Sequence, residues 1–538
     1  MKKLTFFTIA ILSIGISVNA QSTYPVNSNQ DIIHYTFTLG VSDTSNVIYG
    51  EAEIHFKTKD QNYLVLDLVG EKDEKGMMVD YILGGSDTLE YLHQNNRLKI
   101  KFDDLSEPPS QITIKYHGEP ANGLLIDNNK FGERVFFGDN YPDRARHWLP
   151  TVDHPSDKAT VTWIVKAPDH YRVIGNGQLE SIEDGMNGYS TTTWEEDIPI
   201  STKVMVFAAA NFSIDESGIV NGVPVSTWVY QQNEKDGFYD FAIAPKVLAY
   251  FDSLLAPHPY EKLAHVQSKT MYGGMENAGN IFYFEDVVNG KAERENLIAH
   301  ETIHQWFGNS ATEADWSHAW LSEGFATYLT HVYVQSKVGE EEFMNRLKRD
   351  RERIIKYWYK KPLPVVNSNL VTYPKVKDLR ELLSANTYQK GGWFLHMLKE
   401  EIGEETFWNS VRKYYNDHKN SIATTSDFQK VVEKVSGKDL HIFFNQWLYA
   451  DSHPQLEGNW YYKKGSLYVT ITQKQDKLFK LTMELAISKN NEQEVIKVEV
   501  GQKKETFIIK RKRPESIIID PNVKLLYEGE SQLLVKKR

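Results

Sequence analysis

Two changes of hydrophobic period divide this chain. From about residue 33 to 213, short runs alternate apolar and polar side chains, as in Leu98-Ile100-Phe102 and Ile112-Ile114-Tyr116. That is the pattern of half-buried strands, and Gly84-Gly85-Ser86 and Glu107-Pro108-Pro109 supply turns between them. Between about residues 237 and 451 the spacing becomes helical, with long segments at 295–307, 319–338 and 341–359. After about residue 455 alternation returns in Leu467-Val469-Ile471 and Phe507-Ile509, with Asp520-Pro521-Asn522 as a turn. At 538 residues the chain is too long for one core. The expected fold is therefore multidomain α+β: a β domain at 21–213, a mostly helical domain at 214–454 and a small β sandwich at 455–538.

Composition narrows the function classes. With 41% apolar, 12% aromatic and 25% charged residues, most of the chain should fold. A net charge of −11 argues against a nucleic-acid surface, which needs a basic field, and leaves peptides as partners. The basic segment 346–361, interleaved with Ile, Tyr and Trp, reads as one face of a solvated helix in preference to an anionic docking site. Residues 1–20 run from Met-Lys-Lys through an apolar stretch to Val18-Asn19-Ala20, the order of a secretory leader. The stretch is shorter than the ~20 residues of a spanning helix. Export to the periplasm or the extracellular space is expected, with a mature start at Gln21 and no integral membrane segment after cleavage. The chain has no cysteine, which is compatible with such a compartment without demonstrating it.

At 300–304 the chain reads His-Glu-Thr-Ile-His within a helical pattern. Residues four apart share a helix face, so both imidazoles reach one ion while Glu301 is held beside it. A catalytic zinc site needs a third protein ligand and one open position. Glu323, eighteen residues beyond His304 in Trp320-Leu321-Ser322-Glu323-Gly324-Phe325-Ala326, is the candidate. One Zn2+ per chain is expected, held by His300, His304 and Glu323. Glu301 would act as the general base that takes a proton from a zinc-activated water.

Gly273-Gly274-Met275-Glu276-Asn277, 23 residues before His300, resembles, together with His300–His304 and Glu323, the gluzincin aminopeptidases, which include aminopeptidase N and the leukotriene hydrolase enzymes. Ala145-Arg146-His147-Trp148-Leu149-Pro150, Asp153-His154-Pro155 and Lys158-Ala159 are similar to that family's N-terminal signature, and Tyr388-Gln389-Lys390-Gly391-Gly392 is similar to the segment carrying its catalytic tyrosine. The resemblance implies a β saddle, a thermolysin-like catalytic domain and a small β sandwich. It implies that Glu276 binds the substrate's free α-amine, that Gly273, Gly274, Met275 and Asn277 belong to the substrate cleft, and that Tyr388 donates to the oxyanion. The implied activity is zinc-dependent removal of N-terminal residues from peptides.

Two departures shape the expectation. Where the family places a Gln or Glu that helps hold the amine, this chain has Gly138-Asp139-Asn140-Tyr141-Pro142, leaving Asp139 and Asn140 as alternatives. The sequence also stops after the third domain, where many members continue into a large helical domain, so an epoxide-hydrolase or tripeptide-specialised role is not expected. A zinc endopeptidase and an inactive binding protein on the same scaffold are the competing readings. The first has no need of an amine anchor at Glu276. The second predicts a lost ligand or base, yet His300, Glu301, His304, Glu323 and Tyr388 are all present.

Overall fold

The computed structural model describes residues 27–102, 109–367, 379–490 and 492–536. The expected leader at 1–20 and the turn residues Glu107 and Pro108 lie outside these. Among the described residues the N-terminal part is an eight-stranded sheet with two smaller ones. Strand Gln30–Gly40 lies at its centre, antiparallel to Ile48–Thr58 and parallel to Lys158–Pro168. A bulge between Ile32 and His34 shifts the side-chain alternation, so Ile32 and then Tyr35, Phe37 and Leu39 all face the core. The Arg146 and Asp153 side chains pair at 3.1 Å inside this domain.

The helical period expected from about residue 237 omits a five-stranded sheet that spans the boundary and runs into that region. Its strands are Phe212–Val220, Val223–Tyr230, Leu263–Ser268, Asn280–Phe284 and, at the edge, Gly274–Met275. The reason is burial on both faces. Ala264, Val266 and Phe282 pack into the N-terminal core, while Leu263, Ile281 and Tyr283 pack against the helices. Asn280–Phe284, apolar from Ile281 to Phe284, therefore shows no alternation of polarity to read, and Leu263–Ser268 shows only four alternating residues.

The helices are α1 (Glu234–Phe241), α2 (Ala244–Leu254), α3 (Glu295–Ile303), α4 (Trp320–Val338), α5 (Glu340–Trp358), α6 (Gly391–Ile402), α7 (Glu404–His418) and α8 (Thr425–Ser436), with a short final turn at His441–Phe444. α4 and α6 cross with backbones almost touching. A Cβ placed on Gly324 would lie 2.9 Å from the carbonyl carbon of Gly391, so only glycine permits this approach. The approach carries the widened turn Asn386–Lys390, which precedes α6, over the start of α4.

The C-terminal strands form a four-stranded and a three-stranded sheet, with Leu467, Val469, Ile471, Leu485 and Ile519 buried. Their core is continuous with that of the helices. The basic helix α5 is largely satisfied internally. Arg349 pairs with Glu342 at 2.6 Å, and Arg351 lies over the Tyr527 ring at 4.9 Å and 3.6 Å from Asp520. This accounts for the basic residues as a helix face packed partly on the C-terminal sheets.

Candidate metal centre and substrate cleft

α3 ends at His304 because the following residues tighten into turns, with Gln305 N–H donating to Thr302 and Trp306 N–H to Ile303. That turn brings the Phe307 carbonyl 3.1 Å from His304 Nδ1. Nδ1–H donates to it, which leaves the Nε2 lone pair pointing away. One helical turn earlier, His300 places its Nε2 3.3 Å from His304 Nε2. Glu323, in the first turn of α4, sets Oε2 3.5 Å from the first and 3.3 Å from the second. Tetrahedral zinc with bonds of about 2.0–2.1 Å requires ligand atoms about 3.3 Å apart. The three donors match this, with two imidazole nitrogens and one carboxylate oxygen converging within 3.5 Å of one another. The donor set therefore fits zinc, with three ligands from the protein, the number that catalytic zinc sites use.

Glu301 lies on the neighbouring face of α3, against the edge strand Gly274–Met275. A Cβ on Gly274 would fall 2.5 Å from the Glu301 carboxyl carbon, so the glycine is what lets that carboxylate sit there. The edge strand pairs on one side only, with Gly274 opposite Tyr283, and Phe284 N–H donates to the Gly273 carbonyl at 3.2 Å. Glu276 follows, 5% exposed, with Oε1 lacking a hydrogen-bond partner among the described residues. Carboxylate or imidazole atoms of Glu276, Glu301 and His304 lie within 4.8 Å of one another. Asn277 is fully buried, and its side-chain oxygen and nitrogen have no partner among the described residues.

Tyr388, from the widened turn, stacks its ring parallel to His300 at 6.1 Å and donates its hydroxyl to Glu323 Oε1 at 2.9 Å. The phenol thus touches two metal-ligand candidates, His300 through its ring and Glu323 through its hydroxyl. Burial, with the Glu323 charge beside it, holds Tyr388 well above the usual phenol range, so it stays protonated. Burial, with Glu276 and Glu323 close by and only partly offset by His304, raises Glu301 well above the carboxylate range. Glu323 is also buried, but the two imidazoles outweigh burial and hold it well below that range.

Asp139 and Asn140 fare differently. Asn140 donates to the carbonyls of Thr202 and Met205 and accepts from Trp148 Nε1, so its side chain is consumed inside the N-terminal core. Asp139 pairs with Arg144 at 2.7 Å and accepts from the backbone N–H of Met271, just before the cleft segment. Sequence reasoning did not single out Gln305 and Asn309, whose side-chain amides donate to the Glu276 carbonyl at 3.0 and 2.5 Å. It also passed over Lys203 and Glu313, an ion pair at 2.5 Å with both side chains 1% exposed.

Residues 32–204 match the Peptidase M1 N-terminal domain and residues 239–447 match the Peptidase family M1 domain. The chain is 27% identical over 377 residues to Aminopeptidase A of Gloydius brevicauda, covering 66% of this chain and 39% of that protein. Glutamyl aminopeptidase of Bitis rhinoceros is 28% identical over 378 residues, with the same coverage of 66% and 39%. Probable aminopeptidase 2 of Sulfurisphaera tokodaii is 26% identical over 436 residues, 77% of this chain and 53% of the relative. The matched region thus spans about two-fifths to one half of these relatives' own length. Two matched domains of one family, arranged around a His-Glu-His-Glu cluster at the junction of a β domain and a helical one, establish that the chain belongs to the gluzincin aminopeptidases of peptidase family M1.

Proposed function

We propose that this chain is an exported aminopeptidase that holds one zinc ion and hydrolyses the N-terminal bond of peptides. The observation that carries the reading is Glu276: a buried carboxylate with one oxygen that has no hydrogen-bond partner among the described residues, placed beside the base and one metal-ligand candidate. Held by His300, His304 and Glu323, zinc would polarise the scissile carbonyl and acidify a water. Glu301, raised by burial, takes the water's proton and passes it to the leaving amine. Tyr388, kept protonated, supplies a hydrogen bond to the charge that develops on the carbonyl oxygen. Gly273 to Met275 offer the open edge of a sheet to the substrate backbone, with Asn277 at its inner end. Export rests on the leader-like residues 1–20, and among the described residues no helix is long and apolar enough to cross a membrane. The acidic balance supports peptides and no nucleic acid as partners.

A free α-amine is largely protonated at neutral pH and pairs with Glu276 through a charge-assisted bond. Such a bond is worth about 1.5–3 kcal/mol, or about ten- to hundred-fold in kcat/KM. The test compares a free peptide with its N-acetyl form, using wild type and Glu276→Ala and following products by mass. Wild type should release single N-terminal residues in order and spare the acetylated peptide, and the variant should lose most of that discrimination. Internal cleavage of the acetylated peptide by wild type at a comparable rate would instead make this an endopeptidase.

A further inference from the structure

Glu276 sits on a segment with little regular structure of its own, and its place is set from elsewhere. Its carbonyl accepts from Asn309 Nδ2 at 2.5 Å and from Gln305 Nε2 at 3.0 Å. Gln305 also accepts from Gly279 N–H at 2.9 Å, so it spans both ends of the turn that follows Glu276. Both amides are fully buried and come from the loop that leaves α3. That loop is gripped in turn by the N-terminal domain. Lys158 Nζ donates to the carbonyls of Asn309 and Ser310 at 2.9 and 2.7 Å and to Thr312 Oγ1 at 3.1 Å, saturating an ammonium's three donors. Lys203, from the same domain, takes Glu313.

We infer that Asn309 is a positioning residue for the amine anchor and that Lys158 of the N-terminal domain sets it: the β domain fixes how far the substrate's charged amine lies from the metal ligands. This rests on the reading of Glu276 as the amine anchor. The side-chain contacts of Asn309 and Lys158 reach neither imidazole nor the Glu323 carboxylate, and the one link to a ligand, from the Asn309 backbone N–H to the His304 carbonyl at 3.0 Å, does not involve a side chain, so changing these side chains should shift the anchor and leave the ligands in place. A misplacement of about 1 Å is enough to cost up to about 100-fold in a positioned reaction.

The experiment uses the full chain as Asn309→Asp, which puts a carboxylate against the Glu276 carbonyl, as Lys158→Met, which removes the ammonium at similar length, and as Lys158→Arg. Zinc content, thermal midpoint, kcat and KM are measured on a fluorogenic aminoacyl amide and on its N-acetyl form. Asn309→Asp and Lys158→Met should each raise KM for the free amine by about tenfold or more, keep kcat within about threefold and narrow the preference over the acetylated form, with one zinc retained. Lys158→Arg should restore most of the loss. Unchanged KM and preference in folded, zinc-loaded variants would overturn the inference, as would loss of zinc, which would make the loop a metal scaffold. Should Asn309→Asp fail to fold, the Lys158 pair decides alone. Failure of the amine-anchor reading shows separately, because wild type would then cut both substrates equally.

Discussion

His300 and His304 meet because four residues of helix bring them to one face, and Glu323 joins them through a single crossing of helices. Glu276, in the same pocket, reaches its place through an edge strand two residues long, two side-chain amides from a loop and a lysine 151 residues before that loop. The metal half of the site is thus local in sequence and stiff in structure, and the anchor half is assembled across domains. A substitution far from the pocket should therefore disturb recognition of the amine before it disturbs the metal.

The largest expected effect tests whether the metal half stands alone. Glu301→Gln should lower kcat by about 10²–10⁴-fold, since the amide accepts no proton, while metal analysis still finds one zinc. Loss of the ion would make Glu301 part of the scaffold and blur the division. Tyr388→Phe comes next. Its hydroxyl donates to Glu323 Oε1 and, in the proposed mechanism, to the oxyanion, so kcat should fall about 100-fold with KM little changed, and zinc affinity should fall about tenfold as Glu323 loses its orienting bond. Steady-state kinetics beside a chelator competition separates the two, and an unchanged zinc affinity would assign Tyr388 to the reaction alone.

The last effect concerns pH, and the contribution of Glu276 to it, the smallest of these changes, is where the two halves communicate. Burial alone would lower His304, but the carboxylates of Glu276 and Glu323 outweigh it and raise the imidazole to about 10. Without metal, His304 therefore keeps its proton through the neutral range. Zinc must displace that proton, so apparent affinity should fall as pH falls, by about tenfold per unit between pH 8 and pH 6. A pH series with a metal-binding dye checks the slope. Glu276→Gln removes one of the raising charges and should make the slope shallower near pH 8, and a slope indifferent to Glu276 would show the halves to be electrostatically separate.

The order β, helical, β was legible because half-buried strands and amphipathic helices carry different periods. So was the pair of histidines, whose spacing alone implies a shared face. Asn280–Phe284 was not legible, since both faces are covered and its apolar run does not alternate, and in Leu263–Ser268 the alternation is confined to four residues, Ala264 to Gln267. Glu276 and Tyr388 stood out only through resemblance, because a carboxylate after two glycines and a tyrosine before a lysine have no spacing rule that gives them a role. Asn309 was hidden more deeply. Gly308-Asn309 reads as an ordinary turn, and its work is done on a carbonyl 33 residues away.

The sheet covered on both faces has a consequence for how the molecule comes apart. One face closes the N-terminal core and the other closes the core shared by the helices and the C-terminal strands. Neither neighbour can swing away as a rigid lid without laying bare a wall of buried side chains, many of them apolar, so large hinge motions between them are opposed by the same burial that folds the chain. Local opening should instead begin at outlying loops and sheet edges, and the wall should be among the last structures to separate. Glu276 lies one residue beyond an edge strand of that wall, which gives the proposed amine anchor a foundation that persists while its surroundings breathe.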